Sequence, residues 1–86
     1  MKNVPTGMVR RKVREVCAMA PGHGKTEPML LEFVNELTGG GVDIQMLREA
    51  VEWNLSQGFV RYAENAETEE TEWFITKAGL AKEEIK

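Results

Sequence analysis

Three arginines near the start of the chain are the strongest candidates for binding chemistry. On a helix, Arg10 and Arg14 lie one turn apart with Arg11 beside them. Guanidinium groups clustered in this way can bind phosphates or the carboxylates of an acidic partner segment. The alternative is a solvated helix face on which Arg11 pairs with Glu15, an interaction worth about 0.3 kcal/mol.

The tripeptide Gly24-Lys25-Thr26 matches the end of the phosphate-binding loop G-x-x-x-x-G-K-[ST]. However, the leading glycine of that motif falls on Met19, and a helix rather than a buried strand is predicted before the loop. Lys25 and Thr26 are therefore interpreted as a loop cation and a helix cap, and nucleotide hydrolysis is not expected.

The other reactive side chains do not suggest a catalytic or metal site. His23 lies between two glycines and is the single histidine, and Cys17 is the single cysteine, so a zinc site is not expected. Cys17 lies on an apolar helical stripe, where a buried and inert thiol is expected. The acidic run from Glu64 to Glu72 lacks the Asp/Asn/Gly spacing of a calcium loop and is interpreted as a solvated hairpin tip. We expect no enzyme activity, no metal and no cofactor.

Length and composition predict one domain over residues 1–86. The 86 residues are 42% apolar and 29% charged, which is a globular balance. No window approaches the roughly 20 apolar residues that span a membrane, and the first residues lack the apolar segment of a signal peptide. Because one cysteine cannot form an internal disulfide, the expected location is the reducing cytoplasm, without membrane association.

Hydrophobic periodicity and its interruptions predict an order of three helices, a hairpin and a short closing helix. The predicted helices cover Thr6–Ala20, Glu27–Thr38, Ile44–Gln57 and Lys77–Glu84. After Gly58 the period changes from 3.6 to 2, so strands are predicted at Phe59–Tyr62 and Thr71–Ile75. Thr26, Asp43 and Thr76 are the predicted N-caps.

Two segments carry a family resemblance. The segment from Leu47 to Val60 looks like the second helix of a helix-turn-helix that runs into a wing through the pattern x-x-G-[FY]-[VI]. The segment from Trp73 to Ala81 is similar to the pattern [WY]-x-[LI]-T-x-x-G after a second wing strand. With the element order, these motifs resemble the winged helix-turn-helix DNA-binding domain family over most of residues 9–82. The implied fold is an α+β winged helix with a β-hairpin wing and a short C-terminal helix.

This resemblance implies a DNA-binding transcriptional regulator of bacterial or phage type that works as a dimer, with the third helix in the major groove. Gln45 and Arg48 would then reach base edges. The phosphate contacts would come from Arg10, Arg11 and Arg14. For Trp53 and Trp73, packing between the third helix and the wing is expected rather than stacking on bases.

The charge distribution conflicts with the usual docking of this fold on DNA. Residues 1–25 hold six cations and one anion, a net charge of +5, whereas residues 26–86 hold five cations and thirteen anions, a net charge of −8. Phosphates would repel the carboxylates of the third helix and the wing, although glutamate can accept a hydrogen bond from cytosine. These carboxylates belong to Glu49, Glu52, Glu64, Glu67, Glu69, Glu70 and Glu72. The alternative function is a protein–protein interaction module whose acidic wing contacts a protein partner, or the basic first helix of a second copy.

Overall fold

Four helices and one antiparallel hairpin make up the computed structural model, which describes residues 4–84. The elements in chain order are α1 (Thr6–Met19), α2 (Glu27–Thr38), α3 (Ile44–Ser56), β1 (Val60–Glu64), β2 (Thr71–Ile75) and α4 (Lys77–Glu84). This is the α+β order predicted from the sequence, and it is the layout of a winged helix. No helix within residues 4–84 is long and apolar enough to cross a bilayer.

Side-chain caps determine where three of the helices begin. Asp43 accepts a hydrogen bond of 2.9 Å from the backbone N–H three residues further along, and Thr76 does the same at 3.0 Å. Thr26 caps α2 in the same way at 3.5 Å. All three predicted N-caps are therefore confirmed.

The turn between α2 and α3 is held by the side chain of Asn35. Its amide donates to the carbonyl of Val42 and accepts from the N–H of Val42, both at 2.9 Å. The three glycines of the turn have φ values between 81° and 98°, a region that side chains rarely adopt. Because Val42 is also buried, the turn fixes α3 relative to α2.

The apolar core lies between α1 and the elements that surround it. Helix α1 contacts α2, α3, α4 and β2. Its periodicity predicts a buried stripe of Val9, Val13, Val16, Cys17 and Ala20, and all of these except the half-buried Ala20 lie in the core. The core side chains of α1 are Val9, Val13, Val16 and Cys17, and those of α2 are Leu30 and Val34. Helix α3 and the hairpin complete the cluster with Leu47, Ala50, Val51, Val60 and Ile75.

Strand β1 begins one residue later and ends two residues later than predicted, whereas β2 has the predicted bounds. Phe59 lies before the strand, because its N–H donates to the carbonyl of Asn54 and its own carbonyl accepts from Thr76. Phe59 therefore forms the junction between α3, the hairpin and α4. The strands pair from Val60 with Ile75 to Glu64 with Thr71.

The loop between α1 and α2 also pairs with the hairpin, through Lys25. The sequence does not predict this pairing. Lys25 and Trp73 exchange two backbone hydrogen bonds of 2.9 Å, which fasten the loop between α1 and α2 to β2. Lys25 was predicted as a loop cation, yet the residue is only 7% exposed and its Nζ donates to the carbonyl of His23. Lys25 does lie in the loop, as predicted, but the β-bridge draws it against the core.

The close approach of α4 to the hairpin generates a stability prediction. A Cβ atom on Gly79 would lie 2.1 Å from the carbonyl oxygen of Phe59, so Gly79→Ala must displace α4 or the junction. We expect a loss of about 1–3 kcal/mol in the free energy of unfolding, measured by urea denaturation. The control is Gly7→Ala in α1, where a Cβ meets nothing within 4 Å and a gain of about 0.5–1 kcal/mol is expected. Equal stability of the Gly79→Ala variant and the parent would contradict the packing described.

Candidate nucleic-acid interface

Helix α3 presents a row of polar side chains on the face opposite its buried side. The exposed members, called the α3 row, are Gln45, Arg48, Glu49, Glu52 and Ser56. Their spacing of three or four residues places them along one side of the helix. Gln45 and Arg48, the two predicted base-reading residues, lie in the first half of this row.

A carboxylate of α2 engages Arg48. Its Nε and Nη2 atoms donate to the two carboxylate oxygens of Glu27, at 2.9 and 3.1 Å. The hydrogen bond from Arg48 lowers the pKa of the Glu27 carboxyl below its ordinary value. Both side chains remain accessible, so water and salt screen the pair and it contributes little stability. Arg48 can therefore exchange Glu27 for another acceptor.

Arg10 also lies against α3, where it binds Glu49. Its Nε and Nη2 atoms both donate to Oε1 of Glu49. The guanidinium carbon stands 4.7 Å from the centre of the Trp53 ring, a cation–π arrangement. Trp53 packs in turn against Phe59, the residue before β1, at a centroid distance of 5.9 Å, and Trp73 of β2 packs against the apolar core, so both indole rings are in packing contacts as predicted.

Arg14 does not lie on the solvent face where the arginine spacing predicts it. The residue is only 7% exposed, and its guanidinium donates to Asn54 at 3.0 Å and to Glu83 at 2.9 Å. Asn54 is fully buried and donates to the carbonyls of Arg10 and Ala50. Position 14 borders the apolar stripe of α1, and α3 and α4 cover it from both sides. Arg14 therefore connects three helices instead of extending a basic patch.

The expected patch of three arginines does not form. Arg11 is exposed and has no ion pair with any described residue, whereas Arg10 and Arg14 are both engaged by carboxylates. Glu15 pairs with Lys12 at 2.7 Å rather than with Arg11. The structure thus brings Arg10 and Arg14 to α3 and leaves Arg11 as a single cation facing solvent.

The tip of the hairpin is acidic and is ordered by Asn65. The side-chain oxygen of Asn65 accepts from the N–H groups of Glu67 and Thr68, at 2.9 and 3.2 Å. The exposed carboxylates around this turn belong to Glu64, Glu67, Glu69 and Glu70, as expected for a solvated tip. Within residues 4–84 no group of three His, Cys, Asp or Glu side chains is placed to hold a metal ion.

Comparison with solved structures supports the fold. The chain superposes on the structure described as the complex structure of hsRosR-S1 with a TM-score of 0.70 and 14% sequence identity. The match covers 84% of this chain and 61% of that chain, so this chain spans less than two thirds of the similar protein. No protein-family model and no curated protein matches the sequence. The predicted winged-helix fold is confirmed, and at this identity the likeness extends to the fold alone.

The buried position of Arg14 generates a second stability prediction. Arg14→Ala leaves Glu83 and Asn54 without their shared donor, so we expect a loss of about 3–5 kcal/mol in the free energy of unfolding. Arg11→Ala removes an exposed cation on the same helix and is expected to change the stability by less than about 0.5 kcal/mol. Thermal and urea denaturation of the two variants measure the difference. Similar stability of the two variants would show that Arg14 does not hold the helices together.

The Cys17 thiol generates a prediction about pH. Burial raises its pKa to about 11, and the nearby charge of Lys25 opposes the shift. The native state therefore holds this proton more tightly than the unfolded state. The contribution of the protonated thiol to the free energy of unfolding is complete below about pH 9 and declines towards pH 11. We expect the stability difference between the parent and Cys17→Ala to shrink by about 2–3 kcal/mol over that range. Urea denaturation at several pH values tests this, and a pH-independent difference would contradict it.

Proposed function

We propose that this protein is a winged-helix DNA-binding transcriptional regulator of bacterial or phage type, located in the cytoplasm. The main support is the α3 row, because all five of its side chains are exposed. Helix α3 has 13 residues and is therefore about 20 Å long, which suits insertion into a major groove. The side-chain amide of Gln45 has the donor and the acceptor that can bond to the major-groove edge of adenine. The guanidinium of Arg48 has two donors that suit the two acceptors on the major-groove edge of guanine.

The ion pairs on this face favour an exchange mechanism. Glu27 and Glu49 occupy Arg48 and Arg10 in the free protein, and these acidic partners would be replaced by bases and phosphates. Such exchange costs little because the pairs are partly or largely exposed to water. Arg11 has no ion pair with a described residue, so it can contact a phosphate without first releasing a carboxylate. Arg14, in contrast, would act by holding α1 against α3, since its release from Glu83 would expose a buried charge.

The same arrangement limits the affinity for DNA of arbitrary sequence. Arg10 and Arg11 are the cations proposed for the phosphate contacts, so log K should fall with log salt with a slope of about −2. The acidic hairpin tip opposes binding further. Base contacts must therefore supply most of the discrimination. In a dimer, two α3 rows would read half-sites about 34 Å apart, one turn of DNA.

The test measures DNA affinity by fluorescence anisotropy in about 50 mM salt. The probe is a duplex that the protein itself selects from a pool of random sequences. Arg48→Ala removes the guanine contact and should weaken binding to the preferred sequence about tenfold. Glu27→Gln, the matched variant, frees Arg48 and removes one carboxylate, so it should bind the same duplex several-fold more tightly. Arg11→Ala should reduce the salt slope by about one, whereas Arg11→Lys should keep it.

The absence of any binding to a selected or mixed duplex pool at about 50 mM salt would reject this function. An increase in affinity for Arg48→Ala would reject the proposed docking of α3. Far-UV circular dichroism provides the folding control, because Arg11 and Arg48 are exposed and Glu27 is half-exposed.

A second candidate is a protein-interaction module, favoured by the exposed carboxylates at the hairpin tip. Charge reversal at Glu67, Glu69 and Glu70 separates the two functions. If the protein binds DNA, three added lysines should increase the affinity and steepen its dependence on salt. If the wing binds a protein partner, the same variant should lose that complex.

A further inference from the structure

A groove lies between the hairpin and helices α2 and α3. Two cavities of about 330 and 230 Å³ share Trp73 and Glu27 in their walls. Glu70 contributes to the larger cavity, and Glu52, Arg48 and Val51 to the smaller one. This surface, called the Trp73 groove, adjoins the α3 row but has its own aromatic wall on the hairpin.

The pairing of the strands explains why an aromatic surface is open here. Val60 and Ile75 face each other at the buried end of the hairpin. Tyr62 and Trp73 form the next pair on the same side of the sheet, since side chains alternate along a strand. Their rings lie 5.4 Å apart, and Tyr62 is 58% exposed. The side of the hairpin that closes the core therefore continues with the half-buried Trp73, which packs partly on the core, and the exposed Tyr62.

The charges around this surface favour a cationic occupant. Arg48 neutralises Glu27 through two hydrogen bonds. Glu52 and Glu70 have no ion pair with any residue in the described part of the chain. The groove therefore combines two unpaired carboxylates with the half-buried indole ring that lines both cavities, and these features attract a guanidinium. Its charge opposes the phosphates of a nucleic acid.

We propose that the Trp73 groove binds an arginine-bearing basic segment of a partner protein. One guanidinium lies over the Trp73 ring and donates to the carboxylates of Glu52 and Glu70. Arginine fits better than lysine because its guanidinium is planar and weakly hydrated. It can stack on the Trp73 ring and at the same time donate hydrogen bonds to two carboxylates. This binding goes beyond the DNA function and does not require it. Because Glu52 and Arg48 belong to both surfaces, a bound segment competes with DNA at α3.

The direct test is a nuclear magnetic resonance titration of the full chain with the peptide acetyl-(Gly-Arg)₄-amide. The indole N–H signals of Trp53 and Trp73 are assigned from Trp→Phe variants. The peptide should shift the Trp73 signal and leave that of Trp53 in place, because Arg10 already covers Trp53. The matching citrulline peptide, which has similar shape but no charge, should bind at least about tenfold more weakly.

Paired variants distinguish this groove from general acidic attraction. Glu52→Gln with Glu70→Gln should weaken peptide binding about tenfold. Glu67→Gln with Glu69→Gln removes the same charge from residues outside both cavities and should change affinity less than about twofold. All four are exposed, so both variants should keep the circular dichroism spectrum of the parent.

Three results would overturn the inference. The first is equal weakening by the two double variants, and the second is a peptide-induced shift of Trp53 in place of Trp73. The third is a Trp73 shift with duplex DNA but none with the arginine peptide, which assigns the groove to nucleic acid. None of these depends on the Arg48→Ala assay, so failure here is separable from failure of the DNA function.

Discussion

Burial of one side of α1 is the constraint on which the rest of the structure depends. The other three helices and β2 all contact this helix, so their positions follow from its valine-rich stripe. Apolar contacts do not by themselves fix the orientation of one helix on another, whereas the hydrogen bonds of Arg14 require a specific orientation. By binding Asn54 and Glu83 at fixed angles, its guanidinium sets α3 and α4 relative to α1. The outward aim of the α3 row is a consequence of this packing.

The winged-helix fold of this protein carries a net charge of −3. Arg10 and Arg48 are both held by glutamates of a neighbouring helix. Such pairing masks positive charge in the free protein and leaves the carboxylates of the hairpin tip to dominate long-range electrostatics. If the protein binds DNA as proposed, it gains little from non-specific attraction and depends on selective contacts. In that case the proximity of the α3 row to the Trp73 groove would let a bound protein segment control access to DNA.

The features that the sequence predicts well depend on neighbours along the chain. Helix periodicity, the caps at Thr26, Asp43 and Thr76, and the change of period after Gly58 are all local, and each agrees with the structure. The burial of Arg14 was missed because its partner Glu83 lies 69 positions away. The β-bridge of Lys25 was missed because its partner Trp73 is also distant in the sequence. In addition, a bridge of one residue produces no alternating pattern that could predict it. The pairing of Arg48 with Glu27 depends on how α2 crosses α3, which no spacing in either helix specifies.

The β-bridge at Lys25 also affects how the sheet meets other chains. Since β2 lies between β1 and Lys25, the described residues leave β1 with an unpaired outer edge. Unprotected edges invite intermolecular strand addition and aggregation. Here the edge strand has only five residues, with the charged side chains of Arg61 and Glu64 exposed along it. Its shortness and charge discourage further strand pairing, so the hairpin can project from the domain without seeding fibrils.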